Sequence, residues 1–165
     1  MTDNMIANKL NGLKMIVFDF DGVFTDNKVY LSEEGIESVR CDRSDGMGIE
    51  MLRKSSDIAL VVLSKEKNMV VQKRCDKLKL ECYHSVEDKP TALKKLVEKK
   101  SIDIEQVAYV GNDLNDVECM QMVGFAVCPK DAYSCAAEVA DLILSRNGGD
   151  GAVRELCDLI LDERM

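Results

Sequence analysis

A chain of 165 residues with 46% hydrophobic content is long enough for one substantial core and too apolar to be disordered. Its formal net charge of −8 counts against a nucleic acid or an anionic membrane as partner. Seven cysteines, none in a C-x-x-C pair, and a single histidine, His84, offer no zinc pattern and point to reduced thiols.

In chain order, segment 1–10 is too polar for the apolar block of a secretory signal, and no later run reaches membrane-spanning length. A cytoplasmic protein is therefore expected. Lys14–Phe20 reads as the first strand and leads into Asp21-Gly22. Lys28–Leu31 and Glu37–Cys41 flank Ser32-Glu33-Glu34-Gly35 and read as a β-hairpin, placed to project over the carboxyl edge of the sheet. A helix over 46–54 precedes a strand at Ile58–Leu63, and a helix over 67–78 precedes a strand at Glu81–Tyr83. Asp88 and Pro90 mark the start of a helix over 89–99. Then follow a strand at Val107–Val110, a helix over 115–123, a strand at Gly124–Val127, a short helix over 132–137 and a strand at Asp141–Leu144. A last helix covers 152–161. This alternation predicts a single α/β domain over 1–165 with a largely parallel sheet.

The chemistry gathers where these strands end. Residues i and i+2 of a strand point the same way, so Asp19 and Asp21 would aim at one volume of solvent. Two like charges that close call for a cation or a shared proton, although Asp-x-Asp-Gly is also an ordinary turn sequence. Ser64 ends the second strand of the sheet, Lys89 opens a helix, and Gly111-Asn112-Asp113-Leu114-Asn115-Asp116 follows an apolar strand. Each alone is also a helix cap, a surface lysine or a glycine turn. Their order is more telling than any one of them: an acidic pair, a hydroxyl, a lysine and a second acidic cluster.

In this order the motifs resemble those of the haloacid dehalogenase superfamily of phosphotransferases. Asp19-x-Asp21-Gly-Val-x-Thr-Asp is similar to its first motif, Ser64 to its second, Lys89 to its third and Gly111-Asn112-Asp113 to its fourth. Three segments narrow the resemblance: Arg43-Ser44-Asp45-Gly46-Met47-Gly48-Ile49, Gly111–Asp116, and Gly148-Gly149-Asp150-Gly151-Ala152-Val153-Arg154-Glu155. These resemble the capless phosphatases of 3-deoxy-ulosonate phosphates, both octulosonate 8-phosphates and nonulosonate 9-phosphates, and the C-terminal domain of animal CMP-sialate synthetases. The fold so implied is a three-layer, Rossmann-like α/β domain with a hairpin flap. Asp21 and Ser64 are 43 residues apart and Ser64 and Lys89 are 25 apart, spacings that leave no room for a separate cap domain.

The resemblance implies Mg²⁺ as cofactor, a small phosphorylated sugar acid as substrate and a homotetramer. It makes Asp19 the nucleophile and Asp21 the general acid and base, with Ser64 and Lys89 holding phosphoryl oxygens. Metal ligands would be Asp19, Asp21 through its carbonyl, and either Asn112 or Asp113. Many relatives have an aspartate at the position of Asn112, and an amide brings no charge to the metal. For the substrate, Arg43 before the Asp-Gly-Met-Gly turn could pair with a carboxylate or be an ordinary solvated arginine. Glu66, with Arg74 and Lys77 on the next helix, tilts the choice toward a nine-carbon acid, although all three fit ordinary helix-surface charges. Two other readings stand beside this one: a non-catalytic tetramerisation domain, and a capless phosphatase of large substrates.

Overall fold

The sheet is built outward from β1 (Met15–Phe18), a run buried on both faces, as the strands of a parallel sheet covered by helices must be. The computed structural model describes residues 2–164. It begins with α1 (Asp3–Gly12), continues through β1, and then forms a hairpin of β2 (Thr25–Leu31) and β3 (Glu37–Cys41). Next come α2 (Arg43–Ser55), β4 (Ala59–Leu63), α3 (Val70–Leu78), β5 (Glu81–Tyr83) and α4 (Lys89–Lys100). The remainder is β6 (Val107–Val110), α5 (Leu114–Met122), β7 (Phe125–Cys128), α6 (Ser134–Ala137), β8 (Leu142–Ile143) and α7 (Ala152–Arg164). Six strands pair in the order β5-β4-β1-β6-β7-β8, all parallel, while β2 and β3 form a separate antiparallel pair.

Strand residues alternate between two cores, which gives the three layers. Ile16, Phe18, Val62, Val110 and Val127 face the side covered by α1, α2, α3 and α7. Met15, Val17, Val61, Tyr109 and Cys128 face the side covered by α4, α5 and α6. The chain leaves β1 to build β4 and β5 on one flank and later β6, β7 and β8 on the other. That reversal opens a crevice at the carboxyl end of β1, where ligands bind in open α/β sheets. No helix among the described residues is long and apolar enough to cross a membrane.

Two sequence expectations are corrected, and one helix stands where none was expected. The first strand stops at Phe18 rather than Phe20, because Phe20 turns inward to stack on Phe24 at 6.0 Å between ring centroids. Asp19 and Asp21 therefore stand on a loop, and the turn rather than strand alternation brings them together. Helix α2 begins at Arg43, capped by the Asp42 carboxylate accepting from the Ser44 N–H at 2.7 Å. Asp45-Gly46-Met47-Gly48 is thus helical, and Gly48 serves close packing: a Cβ there would lie 2.8 Å from Arg154 of α7. Finally, α1 falls in a segment with no visible apolar period; it is held by Leu10 in the core and by Arg164, which donates to the Leu13 carbonyl at 2.9 Å.

The loop after β1 is clamped from the far end of the chain. The Gly149 N–H donates to the Val23 carbonyl at 3.1 Å, and Arg40 of β3 bridges Asp26 and Asp150 at 3.1 and 2.8 Å. A Cβ on Gly148 would come within 2.0 Å of the Gly22 carbonyl oxygen, backbone against backbone. Gly148→Ala is therefore expected to destabilise the fold by about 1–3 kcal/mol. The melting temperature should drop by roughly 2–4 °C for each kcal/mol lost, and a melt at wild-type temperature would contradict the clamp.

Candidate active site

The carboxyl ends of β1, β4 and β6 and the start of α4 converge on one small cavity of about 100 Å³. Asp19 follows the last paired residue of β1, and its N–H donates to the Val110 carbonyl at 2.8 Å. Asp21 sits in the next turn, after Phe20 and ahead of Phe24, both buried in the core. Both carboxylates line the cavity with Ser64, Asn112 and Asp113, so five of the residues singled out in the sequence meet there. Lys89 lies beneath, 1% exposed, with its Nζ 2.7 Å from Asp19 Oδ1 and 2.8 Å from Asp116 Oδ1.

Burial decides the electrostatics. It pushes the Asp19 carboxyl up to about 7, aided by the negative charge of Asp116 and opposed by the Lys89 ammonium. Burial also raises Asp21, the Glu66 charge raises it further, and the Thr25 hydroxyl donating to Asp21 Oδ1 at 3.3 Å offsets part of the rise. A carboxyl so raised keeps its proton more readily, as a general acid must. For Lys89, burial alone would lower the ammonium, but Asp19 and Asp116 outweigh it and hold it charged.

Asp116, one turn into α5, is the hub. Besides Lys89 it accepts from the Tyr109 hydroxyl at 2.8 Å and from the Asn112 N–H at 3.0 Å. It appeared in the fourth motif without a role; its position four residues after Asn112, one helical turn, is the signal that it returns to the same spot. Tyr109 carries its own signal, since a fully buried tyrosine in an apolar strand needs a partner for its hydroxyl. Thr25 is likewise buried, and its hydroxyl also accepts from the Gly22 N–H at 3.1 Å. Asn27, Lys65 and Asn115 complete the cavity lining. Lys65 could have been read from its place beside Ser64; Asn27 has no sequence signal.

The oxygen donors fit a hard divalent cation. Asn112 Oδ1 is buried without a hydrogen-bond partner, an acceptor left over at the cavity wall. Asp113 instead spends Oδ1 on the Leu114 N–H at 2.6 Å, in a capping box that starts α5. No cluster of three His, Cys, Asp or Glu side chains suited to a metal occurs among the described residues. The oxygen-bearing side chains that line the cavity are mixed, among them the Asn112 amide, the Ser64 hydroxyl and the carboxylates of Asp19, Asp21 and Asp113.

Ser64 is 1% exposed, and its Oγ accepts from the Glu66 N–H at 3.1 Å, which leaves its hydrogen to donate elsewhere. Glu66 itself accepts from the Asn68 N–H at 2.7 Å, fixing its carboxylate in the loop before α3. Arg43, Arg74 and Lys77 do not line the catalytic cavity. They line a separate cleft of about 630 Å³ between α2 and α3, with Arg53, Lys54 and Lys79. Arg74 donates to the Asp42 carbonyl at 2.7 Å, and its Nε is buried without a partner.

Residues 67–156 match the haloacid dehalogenase-like hydrolase family. The chain is 36% identical to 3-deoxy-D-manno-octulosonate 8-phosphate phosphatase KdsC of Escherichia coli over 157 residues, 94% of this chain and 83% of that one. The crystal structure of the Moraxella catarrhalis 3-deoxy-D-manno-octulosonate 8-phosphate phosphatase, in complex with magnesium ion, phosphate ion and KDO, is similar with a TM-score of 0.93. Identity there is 31%, over 98% of this chain and 93% of that one. The cobalt-bound deoxy-D-mannose-octulosonate 8-phosphate phosphatase of Haemophilus influenzae has a TM-score of 0.88 at 31% identity, covering 94% of this chain and 91% of its own.

A proton and a cation compete for Asp19. Its folded carboxyl is raised above the unfolded value, so the stability it contributes is full below about pH 4 and is lost as pH rises through about 7. Metal-free protein is therefore expected to lose melting temperature between pH 5 and pH 8, and Mg²⁺ to restore more of it at pH 8 than at pH 5. Equal stabilisation at both pH values, measured by thermal melts with chelator and with Mg²⁺, would contradict this picture.

Proposed function

The chain belongs to the haloacid dehalogenase-like hydrolases and is a phosphatase of that family, and from that premise we propose that it hydrolyses a 3-deoxy-ulosonate phosphate through an aspartyl-phosphate. One observation carries the reading: Lys89 is buried against Asp19 at 2.7 Å, beneath a small cavity that also holds Asp21 and Ser64. A non-catalytic tetramerisation domain would have no need to retain a buried lysine–carboxylate cluster at that desolvation cost.

Asp19 Oδ attacks phosphorus as the ester P–O bond breaks, and Asp21 gives its proton to the departing alkoxide. Water then attacks the aspartyl-phosphate, Asp21 takes the proton from that water, and inorganic phosphate leaves with Asp19 restored. Ser64 donates its hydroxyl hydrogen to a non-bridging oxygen, and the Lys89 ammonium neutralises charge at the cavity floor. Relatives with bound magnesium or cobalt support a divalent metal cofactor. We assign Mg²⁺, held by Asp19, the Asp21 carbonyl and Asn112 Oδ1, in preference to Asp113. When bound it would supply positive charge to the phosphoryl oxygens.

The substrate carboxylate is assigned to the cationic cleft, where Arg74 is fixed by the Asp42 carbonyl and Arg43 and Lys77 add positive charge. Glu66 supports a nine-carbon acid through the resemblance to sialate-type enzymes, while the named relatives are phosphatases of the eight-carbon one. The hairpin leaves Val29, Tyr30, Leu31 and Ile36 between 54% and 69% exposed, which supports burial against further copies in a homotetramer.

Purified protein with Mg²⁺ is expected to release phosphate from 3-deoxy-D-manno-octulosonate 8-phosphate and from a nonulosonate 9-phosphate, with higher kcat/KM on the latter. Asp19→Asn should lower kcat on the order of 10⁴-fold or more. Chelation should abolish turnover and added Mg²⁺ restore it. A folded protein silent on both esters would contradict the assignment.

A further inference from the structure

The base of the hairpin carries a backbone irregularity that phosphoryl transfer itself does not use. Asn27 has φ +60°, in the left-handed region that side chains seldom enter, at the point where β2 and β3 shift register between Thr25 and Val29. Lys79 and Ser101 share this conformation as the usual caps of α3 and α4, and Ser85 adopts it in the loop after β5. Asn27 ends no helix. Its N–H donates to Thr25 Oγ1 at 3.2 Å, and the same hydroxyl donates to Asp21 Oδ1 at 3.3 Å. One buried hydroxyl thus fixes Asn27 relative to the acid/base carboxyl.

A glycine would adopt this backbone freely, so the conformation gives no reason for a side chain. Yet Asn27 lines the catalytic cavity, is exposed to solvent, and its carboxamide makes no hydrogen bond among the described residues. Resting on the phosphatase reading above, we propose that Asn27 is a specificity-determining residue that reads a hydroxyl on the leaving group, vicinal to the phosphoester. The leaving oxygen must lie against Asp21 to receive its proton, so the carbon chain bearing it starts beside the hairpin base. A carboxamide both donates and accepts, as does a hydroxyl, and it adds no charge next to an anionic ester. Asn115 brings a second amide to the same cavity.

The test uses whichever ulosonate phosphate the wild-type enzyme turns over better, and its analogue lacking the hydroxyl vicinal to the ester. Wild type should favour the hydroxylated ester by about tenfold in kcat/KM, the size of one hydrogen bond to a neutral group. Asn27→Gly, which suits the left-handed backbone, should erase that ratio while melting no lower than wild type. Turnover with the preference kept in Asn27→Gly, or no preference in wild type, overturns the role of Asn27 and leaves the phosphatase assignment standing. Absence of phosphate release from either ester by folded wild type overturns both.

Discussion

One ammonium shared by two buried carboxylates sets the rest of the site. Lys89, Asp19 and Asp116 are each no more than 5% exposed, and the lysine bonds to both acids within 2.8 Å. Taking such ions out of water costs several kcal/mol apiece, and only mutual attraction with further hydrogen bonds offsets it. Two negative charges against one positive leave a surplus. The two acids share it unequally: Asp116 also has the Tyr109 hydroxyl and the Asn112 N–H, whereas Asp19 has Lys89. Asp116 is the saturated anchor. Asp19 keeps unsatisfied oxygen density facing the cavity, which is what a nucleophile or a cation ligand requires.

The fold supplies that asymmetry from several directions. β1 ends one residue before Asp19, α5 returns Asp116 one turn after its own cap, and Pro90 starts α4 so that Lys89 enters from below. The Asp21 carboxyl is held separately, by Thr25 and by a loop whose aromatic side chains are sunk in the core and whose backbone is pinned at Gly148 and Gly149. Asp19 and Asp21 thus share one loop but answer to different partners, Lys89 for the first and the Thr25 hydroxyl for the second.

Much of this was legible in the sequence, for identifiable reasons. The alternation of apolar runs and helical stretches gave the parallel sheet, because strands buried on both faces are continuously apolar. The acidic pair, Ser64, Lys89 and Asn112 could be placed at strand ends without a structure, and they converge. What stayed hidden depended on tertiary partners. The helical glycines of α2 look like a turn until α7 is seen packed on Gly48. α1 is too polar to announce itself and is held by Arg164 from the far end of the chain. Arg43, Arg74 and Lys77 are near the motifs in sequence, yet the α2–α3 packing carries them to a cleft of their own.

The stereochemical course at phosphorus tests the central claim most directly. A ulosonate phosphorothioate made chiral with two oxygen isotopes, turned over with Mg²⁺ in water of the third, should yield inorganic thiophosphate with retained configuration. Two successive in-line displacements, first by Asp19 and then by water, each invert the centre. Inverted product would mean that water attacks the ester directly, and the buried lysine–carboxylate pair would lose its role in presenting a nucleophile.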